Sequence, residues 1–323
     1  MSVVHPKGGL VVRSNTGDTS FRMNIETSSP VEPPAALLEA THRVLFLGPR
    51  RSGIRRSASP HVVLLACVFL FSVATRSIAD DVEEIAKQAQ NPVASLISVP
   101  FQNNLNFGVG PKDDQQNVLD IQPVIPIKLT DDWNLITRTI VPVVYEPYIS
   151  PTAGDATGLG DVQLAMYLSP TKSTGSIIWG VGPAISFPTA TERYLGQGKF
   201  SAGLSAAVLT IRGPWLFGFL TTDITSVGGE SDRENVHQFL LQPFVNFNFA
   251  HGWYLASSPI ITANWKIAEE DRWTVPVGGG GGKIFRVGKQ RLNAYVQAFD
   301  NVVHPHEAGN WTLRVQLQLL FPK

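Results

Sequence analysis

The sequence predicts an all-β fold: a transmembrane antiparallel β-barrel of about 12 strands, preceded by a signal peptide and a short N-terminal helix. Three observations predict it. Segments from Val99 onward alternate apolar and polar residues with a period of two, the connections between them alternate short with longer and polar, and an apolar run of secretory length precedes them all.

The chain of 323 residues divides into four segments. Residues 1–49 are polar, with scattered prolines and no strong periodicity, and are read as an extension whose true translation start lies downstream of Met1 and Met23. Residues 50–79 read as a signal peptide. The basic stretch PRRSGIRRSASPH leads into the apolar run Val62–Ala74, and Ser77-Ile78-Ala79 then offers a small-residue cleavage site with Asp80 as the new first residue. The alternative is a short membrane anchor tethering a soluble β domain. Arg50-Arg51 and Arg55-Arg56 are taken as ordinary n-region charge rather than a twin-arginine signal, because a barrel reaches its membrane unfolded. The only cysteine, Cys67, lies inside the apolar run, so the mature chain is expected to hold no disulfide and no thiol nucleophile.

Residues 80–92 read as a short helix, either a periplasmic leader or a plug. Asp80, Asp81, Glu83 and Glu84 suit its N-terminus through the helix dipole, and Pro92 follows its end. Residues 93–323 read as the barrel.

Strands are expected near 99–109, 117–129, 133–145, 159–168, 176–187, 200–211, 215–227, 237–250, 253–265, 273–286, 290–300 and 311–321. The last is the plainest: Trp311, Leu313, Val315, Leu317, Leu319 and Phe321 fall on one face, and Thr312, Arg314, Gln316 and Gln318 on the other. In the first, Phe101, Leu105, Phe107 and Val109 oppose Gln102, Asn104 and Asn106. In a membrane barrel the apolar face meets lipid and the polar face lines the lumen. Two strands read less cleanly. The one near 215–227 changes phase after Phe219, and the one near 273–286 carries glycines where side chains should alternate. The second, sixth and eighth connections are very short, the fourth and tenth modest, and EPYISPTAGDATG, PTATERYLGQGK, GGESDREN and NVVHPHEAGN are odd-numbered and long. Short turns face the periplasm in such barrels, so both termini are expected there.

On the expected inner face stand Asp120, Gln122, Arg138, Asp161, Gln163 and Arg314. A charge on the lipid face is costly, so these side chains belong to the lumen, as a network that stiffens the wall or as a polar constriction. The predicted lumen is rich in Asn, Gln, Ser, Thr and Gly and poor in charge, which suits neutral or weakly acidic small molecules better than ions.

Other motifs point to no chemistry. Gly278–Gly282 with Lys283 lacks the helix start and Ser/Thr of a phosphate loop, so the glycines read as permitting curvature, close approach or a bare lumen patch. His304-Pro305-His306 with Glu307 reads as solvated loop rather than a metal site, and neither His237 nor His251 has an obvious nucleophile beside it. No serine sits in a nucleophile elbow. No catalytic residue, metal or cofactor is predicted, and the balanced charge excludes nucleic acid as a partner.

The segments NPVASLISVPFQNN, LDIQPVIPIKLTDDWNLITRTIVPVVYEP, GLGD, WGVGPAISFPTAT, FLLQPF and LFPK occur in order from about Ala86 to Lys323. In them the chain resembles the outer-membrane proteins named after the meta-cleavage pathway of phenol degradation, often labelled transporters and sometimes mislabelled neuromedin U. The resemblance implies a barrel that moves small, often aromatic, compounds, and brings no agreed binding residues. The expected function is therefore an outer-membrane channel or passive transporter. A scaffold barrel with a filled lumen and a lipid-modifying outer-membrane enzyme are the alternatives. Expected partners are membrane lipid, a small solute, and the barrel-assembly machinery through the C-terminal strand.

Overall fold

The structure, a computed structural model, describes residues 79–147, 154–172 and 175–322. The extension, nearly all of the signal peptide with Cys67, and parts of the third and fourth connections lie outside the described residues.

Fifteen ladder segments make twelve strands, because three strands are each interrupted once. A helix α1 (Ala79–Ala89) comes first. It is followed by β1 (Ile97–Val109), β2 (Asp114–Ile121 continued by Val124–Lys128), β3 (Trp133–Glu146), β4 (Ala156–Leu159 continued by Val162–Pro170), β5 (Ile177–Phe187) and β6 (Lys199–Arg212). Then come β7 (Trp215–Gly229), β8 (His237–Asn248), β9 (Trp253–Ser257 continued by Ile261–Asn264), β10 (Trp273–Val287), β11 (Gln290–Val303) and β12 (Trp311–Phe321). Each pairs antiparallel with its neighbours in sequence. β12 then pairs with β1, from Ile97 opposite Phe321 to Phe107 opposite Trp311, and the sheet closes. With no edge left, every strand has two partners, which is what a sheet crossing hydrocarbon requires.

Alternation sets the two faces. Phe101, Ile125, Ile127, Leu168, Val181, Leu204, Phe219, Val245 and Leu255 are exposed on the outer wall. Aromatic groups band this wall at both ends. Trp133–Trp179 and Trp215–Phe247–Phe249 stand at the rim of the short turns, and Phe107–Trp311, Phe187–Phe200 and Trp265–Trp273 at the rim of the loops. Such girdles mark the two interfaces of a bilayer.

Several details differ from the expectation. The first connection, Gly110–Asp113, is as short as the turns of the opposite rim, so the alternation of lengths starts only at the third. Val109 lines a lumen cavity near the loops instead of the outer wall. A bulge between Phe107 and Val109 reverses the face there, where Gly108 adopts φ +77° and the Asn310 side chain occupies the space a Cβ would need. β7 keeps one phase throughout: Leu216, Leu220 and Ile224 are all buried, while Phe219, Asp223 and Thr225 face outward. The apparent phase change arises because this strand carries apolar residues on both faces.

The lumen beside the short turns is occupied. α1 and the residues after it pack Ile85, Ala86, Ala94 and Leu96 against Tyr254, Ile284 and Leu320. Val93 enters a second cluster with Ile136, Tyr167, Ala207, Leu209, Leu216, Leu220 and Phe244. All these barrel side chains point inward. The Asn91 carboxamide oxygen accepts the Val93 amide at 2.9 Å, which turns the chain after the helix.

The glycine run of β10 serves close approach within this packing. The Tyr254 ring lies where a Cβ on Gly282 would sit, and its hydroxyl donates to Asn293 Oδ1 at 2.6 Å. Replacing Gly282 by valine will displace that ring from a filled core at a cost of about 1–3 kcal/mol. The expected result is a lower temperature for loss of the compact barrel band on unheated gels, with Gly281→Ala, whose Cβ would make only ordinary van der Waals contacts, as the mild control.

Candidate functional site

Polar side chains from five strands cross the middle of the barrel. On β1 and β12, Arg314 Nε donates to Asn104 Oδ1 at 2.9 Å and its Nη1 to the Ser258 carbonyl at 2.8 Å, while the guanidinium lies 4.8 Å from the Phe299 ring centre. Asn104 Nδ2 in turn donates to Asp120 Oδ2 at 3.2 Å. One position further along the inner face of β2, Gln122 Oε1 accepts Arg138 Nη2 at 2.6 Å. The Tyr295 hydroxyl lies 3.0 Å from Gln102 Oε1 and 2.9 Å from Gln316 Oε1. Asp120, Gln122, Arg138 and Arg314 thus stand on the inner wall in one belt, and Gln163 lines the cavity above it.

Asp161 takes a different place. β4 carries one extra residue where it passes from its pairing with Val143 to its pairing with Ile140, and Asp161 sits on that bulge. Its carboxylate accepts the backbone amides of Ala190 at 3.1 Å and Gln197 at 2.6 Å, so it fastens the fifth connection.

Tyr295 was not among the expected lumen residues. Asn293, Tyr295 and Gln297 alternate along one face of β11, and that polar stripe is the signal that finds it. The apolar inward residues carry no such signal, because alternation assigns apolar side chains to the outer wall.

The belt divides the lumen. An inner cavity of about 150 Å³ lies against Gln90, Asn91 and Ala94 of the N-terminal segment. An outer cavity of about 440 Å³ rises from the belt to Asp271, Arg272 and Pro305 in the loops. Five residues line both: Gln102, Gln122, Arg138, Leu220 and Gln242. A third cavity of about 430 Å³ lies beside the outer one, behind Arg314 and Asn104. Beside the inner cavity, Gln90 and Asn248 form a reciprocal amide pair at 2.8 and 3.2 Å.

No family model matches this sequence, and no curated protein matches it. The fold is similar to the crystal structure of an outer membrane channel from Pseudomonas putida F1, with TM-score 0.54 and 18% identity over 70% of this chain and 94% of that one. The fold is that of an outer-membrane barrel. Two looser likenesses are the calcium-bound outer membrane phospholipase dimer of Salmonella typhi (TM-score 0.38, 12% identity, 76% of this chain and 99% of that one) and the CymD monoaromatic hydrocarbon channel (TM-score 0.40, 8% identity, 77% and 94%).

Among the described residues, no histidine contributes to the belt. His237 Nε2 lies 2.9 Å from Asp223 Oδ1 on the outer wall, and His304 Nδ1 lies 2.9 Å from the Pro305 carbonyl. The two imidazoles of His304-Pro305-His306 therefore have separate partners, since His306 reaches across to Asp271 in the ninth connection, where Oδ1 accepts both its amide at 2.9 Å and its ring Nδ1 at 2.7 Å. The Asp271 carboxylate holds the His306 imidazolium above the usual range, and hydrogen bonds from His306 hold Asp271 below its own.

The signs are opposite for the two groups. The raised imidazole stabilises this loop contact below the ordinary histidine value and loses that effect as pH rises through its raised one. The lowered carboxylate stabilises the contact above the ordinary aspartate value and loses that effect as pH falls through its lowered one. The contact is therefore expected to be firmest in mildly acid solution and to loosen above neutrality. In Asp271→Asn the NMR titration midpoint of His306 should fall toward that of a free histidine; an unchanged midpoint would refute the pairing.

Proposed function

We propose that this protein is an outer-membrane channel that passes small apolar or aromatic molecules passively, within the family named after the meta-cleavage pathway of phenol degradation. The observation that carries the reading is the pair of cavities on either side of the belt, one reaching the loops and one lined by the N-terminal segment. Solute enters between the loops, meets an outer cavity walled by Ile140, Leu220, Ile224, Leu240 and Ile260, and is passed across the amides of Gln102, Gln122 and Gln242. Apolar walls supply affinity by removing hydrocarbon from water, and the amides replace part of the lost hydration. No step needs a cofactor. The likeness to a barrel described as an outer membrane channel supports this reading.

In this reading the signal peptide is removed before Asp80, the short turns face the periplasm, and residues 80–92 act as a plug. The outer wall contacts lipid, and the last strand engages the assembly machinery. The continuous packing of α1 against inward apolar side chains favours a second reading, a scaffold barrel with a filled lumen. The enzyme alternative would need a serine beside a wall histidine, whereas the ring partner of His237 is Asp223.

Single-channel recording distinguishes the first two readings. The chain from Asp80 to Lys323, folded into planar bilayers, should conduct in small steps, and removal of residues 80–92 should raise the step size several-fold while the compact gel band persists. A trimmed barrel that stays folded and silent would favour the scaffold.

A further inference from the structure

Charges inside the barrel are few and unevenly committed. Among the described residues, Arg138 is the only charged side chain lining the inner cavity, and it also lines the outer one. The belt around it holds two guanidiniums, Arg138 and Arg314, against one carboxylate, Asp120. With Asp120 ionised, the sum is one positive charge.

The two arginines differ in what they hold. Arg314 is buried, and its donors go to Asn104 and Ser258 with its plane against Phe299. Arg138 is only part-buried, and among the described residues its hydrogen bond goes to a neutral acceptor, Gln122 Oε1. Asp120 takes an amide from Asn104 and acts on Arg138 only through its charge at a distance, the two forming no ion pair within 4 Å among the described residues. A guanidinium in a largely desolvated lumen, with donors left over and no carboxylate in contact, is a place for an incoming anion.

The surroundings say which anion. Directly beyond Arg138 the wall is hydrocarbon, from Ile140, Leu220, Ile224 and Leu240, in a cavity with room for a phenyl ring or several methylenes. Asp120 lines the same cavity and would repel a second negative charge, so a phosphate dianion is disfavoured where a monoanion is not.

We propose that the lumen holds a binding site for an amphipathic monocarboxylate, its carboxylate on Arg138 and its hydrocarbon against the apolar wall of the outer cavity. The site rests on the channel reading above and narrows its solute class from apolar molecules to apolar acids. Asp120 and Gln122 are positioning residues: one limits the charge accepted, the other holds the guanidinium toward the cavity axis.

The test compares 4-phenylbutyrate with 4-phenylbutanol, which share a tail and differ in the charged group. Calorimetry on the folded full-length mature chain in lipid nanodiscs should give the acid an affinity at least about tenfold above the alcohol, the size of a charge-assisted hydrogen bond lost. In Arg138→Gln that preference should vanish, and inorganic phosphate should bind neither form. Equal affinity of acid and alcohol for the unaltered protein would overturn the proposal, and this comparison needs no variant to fold. A preference that survives Arg138→Gln in a barrel with its normal compact gel band would overturn it as well. Efflux of both compounds from liposomes separates the two readings. Acid-selective binding without flux would remove the channel and keep the site, whereas flux of both without preference would remove the site and keep the channel.

Discussion

A polypeptide that crosses hydrocarbon must pair each backbone amide and carbonyl with protein, since no water is there to accept them. That requirement forces β1 onto β12, and the rest of the structure follows from how the ladder is kept whole. Where it opens, the released groups are taken up locally. At the break in β2 the Gln122 amide donates to the Pro100 carbonyl at 2.9 Å, and the Thr139 amide to the Pro123 carbonyl at 3.1 Å. At the bulge in β4 the Gly160 amide reaches the Pro142 carbonyl at 2.9 Å. At the break in β9 the Ser258 carbonyl, freed beside Pro259, receives Arg314. Proline removes a ladder donor in the first and third cases, and a lumen side chain mends the third.

Closure also builds the belt. Asn104 and Arg314 lie on the first and last strands, which touch only because the sheet is closed. A second polar chain runs over the same seam, from Thr312 to Asn106 at 2.7 Å, to Gln116 at 2.6 Å and to Glu146 at 2.5 Å, and so ties four neighbouring strands from within. Hydrogen bonds linked end to end polarise one another along such a chain, which stiffens the wall near the loops. The opposite rim is stiffened differently, by hydrocarbon packed around α1.

Strand positions were legible in the sequence because alternation is a local signal: each of the twelve strands overlaps its expected range, and the inward places of Asp120, Gln122, Arg138, Gln163 and Arg314 follow from parity alone. Parity fails where one residue is inserted, and nothing local marks Gly108 or Asp161 as sites of insertion. It fails also for Leu216, Leu220 and Phe244, whose apolar character answers to Val93 from a distant segment rather than to lipid. The contacts that make the belt were beyond reach for the same reason. Tyr295 meets Gln102 across 193 residues, and only the curvature of a finished barrel brings them together.

The N-terminal segment continues into β1 with almost no slack, since Leu96 is buried beneath the helix and Ile97 already pairs with Phe321. Any departure of α1 from the lumen is thus a local unfolding event on a very short leash, and its return is first order. A short tether sets an effective concentration of millimolar order or above, whatever the number of copies in the membrane. A solute that prefers a lumen vacated by α1 would shift the balance between seated and released helix only by as much as it binds the released form more tightly.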